Sequence, residues 1–304
     1  MHTTHRLGAR MTAPNPTSSA DGDTGPDGGS DGDADAHTAP RTVLLTGAAG
    51  GLGTVLRASL PGYGYRLRST DIVPVPGDPD ALLVDLRDQD AVREAVRGVD
   101  AVVHLGGLSL ENTFDRILDV NIRGTQHLYE AARQEGVRRV VFASSSHTVG
   151  YTPRPAKPTE DLPVLTPYRP DTFYGLSKCF GESLAQLYAD RFGVSTVSIR
   201  IGSCFPEPTS YRMLATWLSA ADAGRLFHAA LGAPDVHHTV VYGTSANTRG
   251  WWDLAPARAL GYRPQDDAEP YAAALIAARG EPAPGSAEYE YLGGAFTEMT
   301  APDR

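Results

Sequence analysis

A β-branched, apolar run that passes straight into a glycine-rich turn and then a helix leaves this chain few folds to choose from. Residues 41–46 (Arg-Thr-Val-Leu-Leu-Thr) read as a buried strand, and Thr54 to Leu60 reads as a helix. Between them Gly47, Gly50 and Gly53 stand at G-x-x-G-x-x-G spacing, with Gly51 and Leu52 completing the turn. Without side chains the backbone turns tightly and comes close to a pyrophosphate, whose charge the helix amino terminus favours. The flanking strand and helix make this a dinucleotide-binding turn rather than an ordinary loop.

The elements that follow continue the pattern. Strands are predicted at Tyr65–Ser69, Ala81–Val84, Ala101–Leu105, Arg139–Ala143 and Ser195–Ile201, with helices at Gln89–Arg97, Phe114–Gln134 and Phe173–Phe192. Strands alternating with helices imply a parallel sheet covered on both faces, a Rossmann-type doubly wound α/β fold. Beyond Gly202 the prolines at 206, 208, 234, 256 and 264 break the pattern into short pieces. The expected organisation is a tail over 1–39, a Rossmann domain over 40–204, and a small C-terminal substrate cap over 205–304 that closes on the carboxyl ends of the strands.

The tail carries Asp21, Asp23, Asp27, Asp31, Asp33 and Asp35 among glycines and serines and has no apolar periodicity, so it is expected to be disordered. It contributes to the net charge of −9, and no basic run offers a footprint for nucleic acid. No segment is long and apolar enough for a membrane span, and no secretory signal is evident. Two cysteines, Cys179 and Cys204, are too few for a disulfide framework or a Cys-based zinc site, which suits a cytoplasmic setting. The expected partner is a small molecule.

The chemistry centres on Tyr174 and Lys178, four apart on one helix face, where a cation near the phenol would favour the phenolate and make Tyr174 a base. Asp71, at the end of the second strand, is placed to accept hydrogen bonds from an adenosine ribose and to repel a 2′-phosphate, favouring NAD over NADP. Asp85 and Leu86 follow the third strand and could meet the adenine, or form a surface turn. Leu105, Gly106 and Gly107 follow the fourth and could let the cofactor pass close to the backbone. Glu111 and Asp115 suit capping of the helix that starts at Phe114, His237 and His238 lack further metal ligands, and Trp251 and Trp252 are expected to pack the cap.

Taken in order, Thr46 to Gly53, Asp71, Asp85-Leu86, His104 to Gly107, Asn121 to Thr125, Ser144-Ser145 and Tyr174 with Lys178 resemble the extended short-chain dehydrogenase/reductase superfamily. A narrower set is similar to uronate dehydrogenases: residues 142–147, 200–204, 206–208, 211–217, 250–253 and 293–296. The resemblance implies oxidation of D-glucuronate or D-galacturonate at C1 by NAD to an aldarolactone. It implies Tyr174 as base, Lys178 binding the nicotinamide ribose, Ser145 on the reacting oxygen, Asn121 supporting the lysine through a water, and Cys204 on the cofactor side. It also implies Arg212 on the substrate carboxylate and Ser109, Ser145, Ser146, His147 and Ser203 on the sugar; the family often has Asn where Ser146 stands. A homo-oligomer is implied by analogy. The alternatives are a sugar epimerase or dehydratase that retains NAD, and a non-catalytic NAD sensor, against which the complete Ser145, Tyr174 and Lys178 set argues.

Overall fold

The computed structural model describes residues 42–155 and 162–302. The tail expected over 1–39, and Arg41 at the start of the first predicted strand, lie outside them. Strand β1 (Thr42–Thr46) is buried throughout and leads through the glycine turn into α1 (Gly51–Ser59). Next come β2 (Arg66–Asp71), β3 (Leu82–Leu83), α2 (Gln89–Val96) and β4 (Ala101–His104). The Asp88 carboxylate caps α2 by accepting the N–H groups of Asp90 and Ala91.

The long helix expected over 114–134 is three pieces: α3 (Phe114–Ile117), a π-helical stretch at Leu118–Arg123, and α4 (Gly124–Gln134). Strand β5 (Arg139–Ser145), helix α5 (Phe173–Phe192) and strand β6 (Ser195–Ile201) follow. Thr172 caps α5 through the Gly175 N–H, and Gly193, in the left-handed conformation at φ 70°, ends it.

The strands form one sheet in the order β3-β2-β1-β4-β5-β6 with a seventh strand, β7 (His238–Gly243), beside β6. All its pairings are parallel. Alternate strand residues feed two cores: Val43, Leu45, Val103, Val141 and Val197 on one face, Leu44, Val102 and Val140 on the other. Burial of both faces explains why these strands read as continuous apolar runs. The chain runs outward in opposite directions from the adjacent pair β1 and β4, which opens a crevice at their carboxyl ends.

One expectation fails at the C-terminal end. After α6 (Met213–Thr216), helix α7 (Ala220–Gly232) packs on the sheet and β7 joins it, so the doubly wound unit continues well past residue 204. What remains for a cap is small: α8 (Ala255–Ala259), α9 (Glu269–Arg279), α10 (Ala287–Glu290) and the loops around them. Trp251 and Trp252 are buried there with Val149, Tyr242 and Leu292, as anchors of packing. His237 and His238 pair with Asp190 and Gln186 on the outer side of α5.

Helix α5 meets β5 closely because Gly181 has no side chain. A Cβ there would fall 2.2 Å from Cζ of Phe142, a ring that is 1% exposed and lies under the Lys178 ammonium. Helix propensity alone would favour Gly181→Ala by about 1 kcal/mol. Overpacking costs about 1–3 kcal/mol, so the expected net result is a lower melting temperature. An unchanged or raised melting temperature would show that Phe142 has room to move.

Candidate active site

The crevice between β1 and β4 opens into a cleft of about 970 Å³ that runs along the carboxyl ends of the strands. At one end lie Gly47, Gly50, Gly51, Leu52 and Gly53. Gly47 adopts φ 70°, and a Cβ on it would meet the Gly106 nitrogen at 2.9 Å; a Cβ on Gly53 would meet the Gly47 carbonyl oxygen at 2.3 Å. Turn, helix and the loop after β4 are thus in contact through bare backbone. A Cβ on Gly51 would meet nothing within 4 Å, so that side of the turn is open to the cleft. This is the shape a pyrophosphate needs, and a dinucleotide fits the residues present.

Asp71 ends β2 and lines the same region. One carboxylate oxygen accepts the Ala49 N–H at 2.9 Å, which ties the turn to β2, and the other accepts the Ile72 N–H at 2.7 Å. Each carboxylate oxygen retains acceptor capacity toward a ribose. Asp85 faces the cleft but is held by Arg87 through contacts of 2.6 to 3.0 Å, which lower its pKa. Leu86 packs under Gly106 and Gly124. Leu105, Gly106 and Gly107 line the middle of the cleft, and the Thr46 hydroxyl accepts the Gly106 N–H at 3.0 Å. Beneath them His104 bridges Thr46 and Thr125; burial pushes its pKa down to about 3, so it is neutral and structural.

Ser145, Tyr174 and Lys178 all line the centre of the cleft. Lys178 Nζ donates to the Ala143 carbonyl at 2.8 Å and lies 5.6 Å from the Tyr174 ring centroid. Burial lowers its pKa to about 8. The Tyr174 phenol is pushed above its ordinary value, first by burial; the Ser145 hydroxyl opposes this and the Asp171 charge adds to it. Ser145 is the neighbour that opposes the rise.

Arg212 occupies the far end. It is 8% exposed, donates from Nε to the Leu292 carbonyl at 2.5 Å, and reaches Ser146 Oγ at 3.1 Å and Ser203 Oγ at 3.4 Å. Burial lowers its pKa to about 10, with Asp171 and Glu288 opposing at longer range. Among the described residues no carboxylate forms an ion pair with its guanidinium, although a buried charge normally has such a partner. His147 lines the cleft between Tyr174 and Phe296, whose ring stacks on it at 3.8 Å.

Two expected site residues sit elsewhere. Asn121, within the π-helical stretch, is 4% exposed and does not line the cleft; its amide bonds both backbone groups of Leu108 and the Ser177 hydroxyl. It joins the loop after β4 to the residue before Lys178. Ser146 is 1% exposed and accepts from Arg212, so it braces the guanidinium from behind. Ser109, Ser203 and Cys204 do line the cleft; burial raises the Cys204 pKa to about 11, which keeps the thiol protonated. The buried Cys179 thiol is likewise pushed up, to about 12. Glu111 is a cap, but of α5: it accepts the Tyr174 N–H at 3.1 Å, while Thr113 caps α3.

Three contributors escaped the sequence reading: Asp171, bonded to His147 at 2.6 Å; Phe296; and the Leu292 carbonyl. Their partners are 24, 149 and 80 residues away in the chain, by residue number (171−147, 296−147 and 292−212). The run at 293–296, which carries part of the resemblance, is the available signal for Phe296.

The chain belongs to the NAD dependent epimerase/dehydratase family, whose model matches residues 43–255. Within it, the similarity is to uronate dehydrogenases. That of Pseudomonas syringae pv. tomato is 50% identical over 86% of this chain and 96% of its own. A crystal structure of uronate dehydrogenase from Agrobacterium tumefaciens complexed with NAD, a single-residue mutant, superposes with a TM-score of 0.81 at 44% identity, over 87% of this chain and 99% of that one. Glucuronic acid dehydrogenase from Chromohalobacter salexigens superposes with a TM-score of 0.81 at 44% identity, covering 86% and 98% respectively.

Proposed function

We propose that this protein oxidises D-glucuronate and D-galacturonate at C1 to the aldarolactone, with NAD as cofactor. The observation that carries this reading is the Arg212 guanidinium: a buried cation without an ion-pair partner among the described residues, in the same cleft as Ser145, Tyr174 and Lys178. A planar fork in that position suits a bidentate carboxylate, and a uronate supplies one.

Bound NAD would accept the hydride leaving C1. Tyr174, as phenolate, would take the C1 hydroxyl proton. Ser145 would donate to the reacting oxygen as charge develops on it. Lys178, anchored on the Ala143 carbonyl, would hold the nicotinamide ribose. Ser109, His147 and Ser203 would meet the sugar hydroxyls, and Ser146 would keep Arg212 aimed.

The test is NADH absorbance at steady state with glucuronate, galacturonate, glucose and a nucleotide sugar in parallel. Turnover confined to the two uronates is expected. Silence on uronates with NAD tightly retained would move the case to an epimerase or a sensor. The pocket wall formed by residues 286–298, close against Arg212 and His147, argues against a bulky nucleotide-sugar ligand.

Asp71→Ala is expected to lower the ratio of NAD to NADP efficiency by about tenfold or more, because a hydrogen bond to a charged group contributes about 1.5–3 kcal/mol and its repulsion of a 2′-phosphate also goes. An unchanged ratio would place discrimination elsewhere. A cytoplasmic setting and assembly into a homo-oligomer complete the proposal. No helix among the described residues is long and apolar enough to cross a membrane, and Phe173, Leu176 and Leu187 on α5 expose apolar surface that a second copy would cover.

A further inference from the structure

The carboxylate of Asp171 is buried at a junction built around it. Its side chain is 0% exposed, and one oxygen lies 2.6 Å from Nδ1 of His147 while the other accepts the Thr172 hydroxyl at 3.0 Å. Three glycines make the room. A Cβ on Gly150 would fall 1.9 Å from the Asp171 carboxylate, one on Gly293 2.1 Å from it, and one on Gly175 3.1 Å from it. These glycines come from the loop after β5, the C-terminal wall and the first turn of α5, so the carboxylate sits where all three meet.

We propose that Asp171 is a positioning residue for the substrate pocket: by accepting the Nδ1–H of His147 it fixes the tautomer in which Nε2 presents a lone pair to the cleft. The inference rests on the functional reading above for what fills that cleft. A carboxylate only accepts, so the hydrogen in the 2.6 Å contact belongs to the imidazole. The groups facing the ring are Asp171, Tyr174 and Arg212, with Phe296 stacked on its face. Burial and the Arg212 charge both disfavour the imidazolium, and Asp171 opposes them. A neutral ring donating at Nδ1 must be an acceptor at Nε2, which has no hydrogen-bond partner among the described residues.

The consequence concerns substrate choice. Arg212 and Ser145 face the cleft as donors, for a carboxylate and a carbonyl-like oxygen. His147 then supplies the opposite polarity and requires a sugar hydroxyl that donates. The wrong tautomer would set an N–H there and weaken the same sugar without touching NAD.

The first measurement is ¹⁵N NMR of the imidazole in the NAD-free protein. A pyrrole-type Nδ1 with a pyridine-type Nε2 is expected; the reverse assignment, or an imidazolium at neutral pH, overturns the proposal. The second is kinetic. Asp171→Ala should raise KM for uronates by tenfold or more, change kcat by less than threefold and leave NAD affinity as it was. In a His147→Ala background the same substitution should add nothing to KM. An equal loss in both backgrounds would show that Asp171 does not act through His147. If Asp171→Ala fails to fold, Asp171→Asn keeps the shape, and the wild-type NMR assignment decides alone. Failure of the wild-type protein to oxidise uronates would remove the functional reading and leave the tautomer test standing.

Discussion

Replacing Tyr174 with phenylalanine is expected to lower kcat by about 10²- to 10⁴-fold, the range a positioned acid or base contributes, while NAD binding stays near normal. The substitution removes one oxygen from a site that burial has already shaped, and it leaves Lys178 on the Ala143 carbonyl and Ser145 in place. Steady-state NADH formation and NAD titration in the same preparation separate the two readouts. Near-normal turnover would remove Tyr174 from the base role. Because burial raises the phenol pKa, the wild-type rate should still be climbing as pH rises past neutrality. Ser145 opposes that rise, so Ser145→Ala should move the climb to higher pH; a shift to lower pH would contradict the assignment.

Arg212→Ala should raise KM for uronates by at least about 30-fold, since removing one partner from a buried charge pair costs about 2 kcal/mol or more. Neutral aldoses should lose far less. Arg212 also holds the Leu292 carbonyl, so some loss common to all sugars is expected from loosening of the wall. The difference between charged and neutral substrates is the informative quantity. Arg212→Lys keeps the charge but not the fork that reaches Leu292, Ser146 and Ser203 together, and should recover only part of the uronate preference. Equal losses on uronates and aldoses would end the carboxylate assignment.

What could be read in the sequence was what local chemistry dictates. Strand β1, the glycine turn and α1 are adjacent in the chain, and α5 carries its own start and stop signals in Thr172 and Gly193, so both ends were legible. Strand β7 was missed because His238-Thr239-Val240-Val241-Tyr242-Gly243 begins with a histidine and lies among proline-broken segments; its partner, β6, is what makes it a strand. The π-helical stretch before α4 has no local signal in the sequence: its one buried residue is the polar Asn121. The resemblance implies both Arg212 and Ser146 as substrate contacts; the structure has Arg212 lining the cleft and Ser146 buried, accepting from the guanidinium. Asp171 had no local signature: its importance comes from three glycines and a histidine that converge on it from separate segments.

The Arg212 guanidinium, without an ion-pair partner among the described residues, also bears on how the fold is held. A cation 8% exposed and held by carbonyl and hydroxyl oxygens sets a desolvation penalty against the protein when no anion is present. A uronate would supply the missing counter-ion, and by mass action anything that binds only the native state protects it from unfolding. Binding of the sugar acid would then steady the fold as well as fill the site, with Arg212 at the centre of both effects.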